Sequence, residues 1–210
     1  MRNNLLLADI GNTHFHIKSN DKIEHLSYEE AIEIYSERQL FYISVNHRLT
    51  SQIKAIKNWV DISSLVKIEG EYDGMGVDRK ALCLSRKSGI FVDAGSAITV
   101  DFVSDGVYRG GYILAGLKAS LESYRAISSV LDIELNQNID LTTLPKTTKD
   151  GISYGIIASI KAIIERDYRG EDLYFTGGDG EFLSSFFARA IYDESLVFDG
   201  MRKVIEVRVV

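Results

Sequence analysis

The chain has 210 residues, 45% of them hydrophobic, which is enough for one large domain or two small ones with real cores. A net charge of −6 and a pI of 5.3 argue against a nucleic-acid partner, which would need a basic surplus or stripe. No apolar run approaches the roughly 20 residues of a membrane span, and the single cysteine, Cys83, excludes an internal disulfide and suits a cytoplasmic protein.

In chain order, the first apolar stretch is short and broken by Asp9, so it reads as a strand rather than a signal peptide. Residues 4–10 and 13–19 form a predicted tight hairpin around Gly11, Asn12 and Thr13, with a third strand at 22–27. His14 and His16 fall on one face of a strand and read as ordinary strand residues. Helical spacing covers 28–39, a buried strand 40–45, a second helix 49–60 with Ile53, Ile56 and Val60 on one stripe, and another strand 64–69. The run DRKALCLSRK, 78–87, reads as a solvated helix face.

From Ile90 the order starts again. Strands are predicted at 90–94, 97–103 and 107–113, and a helix at 117–131 with Leu117, Leu121, Tyr124, Ile127 and Leu131 on one face. A long helix at 149–167, a strand at 172–175 and a helix from 180 to 189 follow. Small residues Thr148, Gly151, Gly155, Ala158 and Ala162 line one side of the long helix, fitting either an intra-chain contact or a homodimer seam. The last ten residues, MRKVIEVRVV, read as a strand.

Both halves open on three strands and a helix, and both carry an Asp-x-Gly turn after the first strand. Asp9 recurs as Asp93 after 84 residues, the length of a small domain. The expected architecture is therefore α/β, with two related domains at 1–87 and 88–210 and a ligand cleft between them.

A glycine in such a turn permits positive φ, and successive N–H groups can form a concave anion site. Asn12 and Thr13 add side-chain donors, and Asp9 at the strand end suits Mg²⁺ beside a polyphosphate. No GK[ST] follows, so this is not a P-loop. One copy is most often a plain turn. The second, D-A-G-S-A at 93–97 with Gly95 and Ser96, points to a nucleoside triphosphate gripped twice. FTGGDGEF, 175–182, places Gly177 and Gly178 between a strand and a helix, where a nucleotide can approach the backbone. GMGVDRK, 74–80, sets Asp78 beside Arg79, either a surface ion pair or cap, or a general base next to an anion-binding guanidinium.

Taken in order, the motifs D-I-G-N-T (9–13), G-V-D-R (76–79), D-A-G-S-A (93–97), G-G-Y-I-L-A-G (110–116), T-x₆-G (148–155) and T-G-G (176–178) resemble the type III pantothenate kinases. That family belongs to the actin, Hsp70 and sugar-kinase superfamily of duplicated RNase H-like domains. The resemblance implies ATP-dependent phosphorylation of pantothenate to 4′-phosphopantothenate, the first step toward coenzyme A, by a cytoplasmic homodimer. It implies that Asp9, Gly11, Asn12 and Thr13 bind ATP phosphates and the associated Mg²⁺, with Ser96, Gly95, Gly177 and Gly178 also on ATP. It makes Asp78 the catalytic base, Asp93 the holder of a monovalent cation (K⁺ or NH₄⁺), and Tyr72, Gly76, Val77, Arg79 and Thr148 the pantothenate-binding residues. Ser96 stands where Thr is usual, Ala115 where Pro is usual, and Val77 where Ala is common. Two alternatives remain: another small-molecule kinase of the superfamily, or a non-catalytic ATP-binding homologue acting through a protein partner.

Overall fold

A computed structural model describes residues 5–12, 14–20, 22–46 and 48–208. The first sheet runs through β1 (Leu6–Ile10), β2 (Phe15–Ser19), β3 (Lys22–Leu26), β4 (Leu40–Ser44) and β5 (Trp59–Asp61) in the order β3-β2-β1-β4-β5. β1 pairs antiparallel with β2 and parallel with β4, placing Asp9 opposite His16 on one side and Ile43 on the other. The second sheet uses β6 (Gly89–Ala94), β7 (Ala97–Ser104), β8 (Val107–Ala115), β9 (Leu173–Thr176) and β10 (Ala190–Tyr192) in the order β10-β9-β6-β7-β8. β6 pairs parallel with β9, with Asp93 opposite Thr176, and β10 continues parallel to β9. Two-residue links join β6 to β7 and β7 to β8, which only an antiparallel pair permits. In each sheet the strand carrying the Asp-x-Gly aspartate is central.

Contacts divide the chain into two units. The first is Met1–Lys87 with Val103–Arg109 and Glu194–Val210; the second is Ser88–Phe102 with Gly110–Asp193. The core of the first is built on Leu6, Ala8, Ile10, Phe15, Ile17, Tyr42 and Trp59, that of the second on Ile90, Val92, Ala94, Ile98, Val100, Ile156, Ile160 and Phe175.

In the first unit, α1 (Tyr28–Tyr35) starts at a capping box: the Glu30 N–H donates to Ser27 Oγ and the Ser27 N–H to Glu30 Oε2 at 2.8 Å. The helix expected at 49–60 is only the single turn α2 (Thr50–Lys54). The chain then enters β5, where the Leu40 N–H donates to the Asn58 carbonyl. The strand expected at 64–69 is a 3₁₀ turn, Ser63–Leu65, followed by irregular chain. Asp61 Oδ1 accepts the Ser63 N–H and turns the backbone out of the sheet.

The segment read as a solvated helix face is α3 (Val77–Leu84), and it buries Arg79, Ala81, Leu82 and Cys83. What covers it is the C-terminal segment. Residues 196–208 are α7 (Leu196–Arg208), not a strand. Val197, Met201, Val204 and Ile205 are buried at helical spacing. The local Val/Ile alternation suggests a strand, and packing on α3 overrides it. The crossing is close at Gly200, where a Cβ would lie 1.8 Å from the Ala81 carbonyl oxygen. Lys203 Nζ donates to the Leu84 and Ser85 carbonyls at the end of α3, and Arg86 pairs with Asp199 at 2.9 Å.

In the second unit, α4 (Leu117–Ile127) ends earlier than expected and a 3₁₀ turn, Ser129–Leu131, follows. Ile127 is exposed rather than on the buried face. α5 (Thr148–Asp167) matches the long predicted helix, and its Gly155 lies beside the Tyr124 hydroxyl of α4. The helix expected at 180–189 is the short α6 (Gly180–Ser184), after which the chain forms β10, an element with no clear periodicity in the sequence.

Candidate active site

In the first unit, Asp9 is half-buried near the end of β1. The Gly11 N–H closes the turn on the His14 carbonyl at 3.1 Å, so that amide is already used, and Asn12 is exposed at the tip. Thr13 lies outside the described residues. The turn has a support that the sequence reading missed. Asn46, buried just beyond β4, donates from Nδ2 to the Gly11 carbonyl at 3.2 Å. Its Oδ1 accepts the Arg48 and Leu49 N–H groups. One side chain thus ties the start of α2 to the Asp-x-Gly turn. The signal, an Asn four residues before a polar helix start, is common in plain turns.

His16 and His25 face each other across β2 and β3, with Nδ1 atoms 2.6 Å apart. Burial, with the neighbouring His25 second, lowers the His16 pKa to about 4. His16 and His25 are paired strand residues, as the sequence reading expects of His16, whereas His14 lies just before β2.

Gly76 precedes α3, and a Cβ there would meet Asp78 Oδ1 at 2.5 Å. Asp78 is half-buried in the first turn, its Oδ1 accepting the Arg79 N–H at 2.7 Å. Arg79 is buried, yet its guanidinium is well supplied with oxygen: Nη1 donates to the Tyr72 hydroxyl at 2.7 Å and Nη2 to the Tyr108 hydroxyl at 3.3 Å. Tyr72 is 47% exposed. Lys80 pairs with Glu71 at 2.9 Å, and Glu71 Oε2 also accepts the Ile68 N–H. Tyr72, Gly76, Val77, Asp78 and Arg79 are therefore one local cluster.

In the second unit, Asp93 is half-buried near the end of β6, the Gly95 N–H closes the next turn on the Ala97 carbonyl at 3.0 Å, and Ser96 is exposed. Two later motifs pack against this turn. A Cβ on Gly116 would lie 2.4 Å from the Gly95 carbonyl oxygen and 2.5 Å from that of Ser96. A Cβ on Gly177, whose φ is +85°, would lie 2.5 Å from both Asp93 Oδ1 and the Ala94 oxygen. The Asp179 N–H donates to the same Ala94 carbonyl at 2.9 Å, and burial raises the Asp179 pKa. The structure thus gathers D-A-G-S, the final glycine of G-G-Y-I-L-A-G, and T-G-G around one turn. Thr148 is exposed at the start of α5, where the preceding Thr147 caps the helix by accepting the Asp150 N–H.

The donor sets suit the groups a phosphoryl-transfer site needs. Mg²⁺ binds through one or two carboxylates together with substrate phosphates, and Asp9 is such a carboxylate. Around Asp93 the absence of a side chain on Gly177 lets its backbone pack against the Asp93 carboxylate and the Ala94 carbonyl, oxygens of the hard kind that a cation takes.

A family model described as type III pantothenate kinase matches residues 41–169. The chain is 39% identical over 202 residues to the type III pantothenate kinase of Campylobacter jejuni subsp. jejuni serotype O:2, covering 96% of this chain and 97% of that one. It is 41% identical to that of Helicobacter hepaticus, over 96% and 98% of the two chains. A Campylobacter jejuni structure named for the Baf family of transcriptional activators superposes with a TM-score of 0.88 at 38% identity, over 98% and 99% of the chains. A Sinorhizobium meliloti structure named as a 2-dehydro-3-deoxygalactonokinase superposes with a TM-score of 0.58 at 10% identity, over 97% and 96%. At that identity it shows the fold alone, an α/β architecture with two mixed sheets. By the family match, and by its identity to curated members over nearly its whole length, the chain belongs to the type III pantothenate kinases.

Proposed function

We propose that this protein transfers the γ-phosphoryl group of ATP to the primary hydroxyl of pantothenate, giving 4′-phosphopantothenate and ADP on the route to coenzyme A. The observation that carries the reading is the family match across the G-V-D-R segment, with Asp78 at the head of α3 and Arg79 clustered with Tyr72. The identical 3-2-1-4-5 strand order of the two sheets supports two RNase H-like domains related by duplication.

Phosphoryl transfer needs alignment and charge neutralisation more than covalent participation by the protein. In this reading a new bond forms between the pantothenate hydroxyl oxygen and the γ-phosphorus, and the bond from that phosphorus to ADP breaks. Asp78 takes the hydroxyl proton. Tyr72, Gly76, Val77, Arg79 and Thr148 bind pantothenate. Asp9, Gly11, Asn12 and Thr13 serve the ATP phosphates, together with Gly95, Ser96, Gly177 and Gly178. Because Gly11 and Gly95 spend their N–H groups closing the turns, phosphate contact falls to the donors that follow them. Mg²⁺, held with Asp9, supplies charge neutralisation on the phosphates, and a monovalent cation, K⁺ or NH₄⁺, is assigned to Asp93. The working form in this reading is a cytoplasmic homodimer without nucleic-acid or membrane partners; the acidic net charge supports the absence of a nucleic-acid partner. Among the described residues no helix is long and apolar enough to cross a membrane.

ADP release from ATP and Mg²⁺, measured with and without pantothenate in K⁺ and in Na⁺ buffer, tests this directly. Pantothenate-dependent release that needs K⁺ is expected. Release with another acceptor alone points to a different small-molecule kinase, and ATP binding without turnover to a non-catalytic homologue. Asp78→Asn is expected to lower kcat by about 10²–10⁴-fold with the fold intact. Near-native turnover in that variant removes the base assignment.

A further inference from the structure

The phenol of Tyr108 does not belong to any motif singled out in the sequence, yet it reaches the guanidinium beside Asp78. Tyr108 is 6% exposed, whereas Tyr72, the other phenol on Arg79, is 47% exposed. A ligand can reach Tyr72 from solvent; Tyr108 acts from behind. The two rings lie 6.2 Å apart and tilted, with Arg79 Nη1 on one hydroxyl and Nη2 on the other.

The backbone around Tyr108 is fixed to the segment leading into G-V-D-R. Glu69 bridges Val107 in parallel, and the Tyr108 N–H donates to the Glu69 carbonyl at 2.8 Å. Gly70, at φ +82°, approaches so closely that a Cβ would lie 2.5 Å from the Tyr108 carbonyl oxygen. Only glycine permits both that φ and that approach. The tip of the β7–β8 hairpin is thus pinned to residues 69–70, and its tyrosine is delivered to Arg79.

A guanidinium carries five donors in a rigid fork, and its value for binding an anion depends on how the fork is aimed. Two phenol oxygens hold two of its nitrogens, which removes rotational freedom from a long side chain before any ligand arrives.

We propose that Tyr108 is a positioning residue that pre-orients the Arg79 guanidinium for the carboxylate of the acceptor. This rests on the pantothenate reading above and extends it to a residue outside the motifs.

The test uses the full-length protein with Tyr108→Phe and, as a second route to the same effect, Gly70→Ala, which leaves the phenol but displaces its anchor. For Tyr108→Phe, KM and the calorimetric Kd for pantothenate are expected to rise about 3–10-fold, the net scale of one ordinary hydrogen bond. The KM for ATP and kcat stay within about twofold. In an Arg79→Lys background, where there is no fork to aim, adding Tyr108→Phe is expected to leave the pantothenate Kd unchanged, a non-additivity that a purely structural tyrosine does not produce. An equal penalty in both backgrounds, or a fall in kcat with unchanged Kd, overturns the proposal. The Arg79 side-chain NH signals in NMR provide a readout independent of turnover: they sharpen with the phenol present and broaden in Tyr108→Phe. If they are the same in both proteins, the clamp is wrong whatever the acceptor. If they differ while native protein shows no pantothenate-dependent ADP release, the clamp stands and the pantothenate reading falls.

Discussion

The two Asp-x-Gly turns occupy equivalent places in their sheets and are supported by different chemistry. In each, a parallel strand lies beside the aspartate strand, β4 in the first unit and β9 in the second, and the residues just past that strand brace the turn. In the first unit the brace is a side chain: the Asn46 amide bonded to the Gly11 carbonyl. In the second it is backbone. Gly177 at φ +85° lies against Ala94 and Asp93, and the Asp179 N–H takes the Ala94 carbonyl. A side-chain brace depends on one residue's hydrogen-bonding groups, and a backbone brace on the absence of one residue's side chain. The same local geometry therefore leaves different traces in sequence and different points of failure.

The largest effect is expected in the second unit. Gly177→Ala meets both a left-handed φ and two contacts at 2.5 Å. Each costs about 1–3 kcal/mol, so chemical denaturation should report a loss of roughly 3–5 kcal/mol. ATP-dependent turnover should fall by about 100-fold as the Asp93 turn shifts. A variant with native stability and native KM for ATP would show that the backbone brace is not needed.

Asn46→Ala comes next. It removes the bond to Gly11 and the acceptor for Arg48 and Leu49 in a buried place. The expected loss is about 2–4 kcal/mol from three hydrogen bonds, read as a shift in denaturation midpoint at unchanged m-value, with a raised KM for ATP. Asn46→Asp keeps the acceptor and loses only the donor, so it should recover part of the stability. If Asn46→Asp is as stable as the native protein, the bond to Gly11 is not what matters.

The smallest effect separates the sheets by pH. His16 has its pKa lowered to about 4 in the folded protein from an ordinary value of 6.5. The unfolded chain therefore binds more protons between those values. The contribution to stability is fully present above pH 6.5 and is lost as pH falls toward 4, by about 1–2 kcal/mol after discounting for solvent screening. Hydrogen exchange should show β2 and β3 opening first on acidification. His16→Phe should flatten that dependence, and an unchanged pH profile would rule the pair out as its source.

The second brace was legible only in part: Thr-Gly-Gly at a strand end reads as a place of close backbone approach by a nucleotide, and nothing local says that the Ala94 and Asp93 turn also packs there. The first was not legible. Asn46 resembles any turn asparagine, and its contact with Gly11 exists only because β4 lies parallel to β1, a pairing that no local pattern records. Tyr108 was invisible for the same reason: its partners lie about thirty and forty residues upstream. The strands of both meanders were legible from alternation and turn residues. The errors fell where tertiary packing decides, at Trp59–Asp61, which continues a parallel sheet, and at the C-terminal segment, where Val204 and Ile205 are buried in a helix packed on α3 and not in a strand.

The crossing of α7 over α3 also bears on biosynthesis. The helix that carries Asp78 and Arg79 buries its apolar side against residues 196–208, and Gly200 lets the two backbones touch. Those residues are synthesised only after the second unit. The first unit therefore cannot be completed until the second has been made, and meanwhile its nascent α3 exposes an apolar face that chaperones can bind. The second unit, contiguous from Gly110 to Asp193 apart from its opening strands, can condense in the meantime.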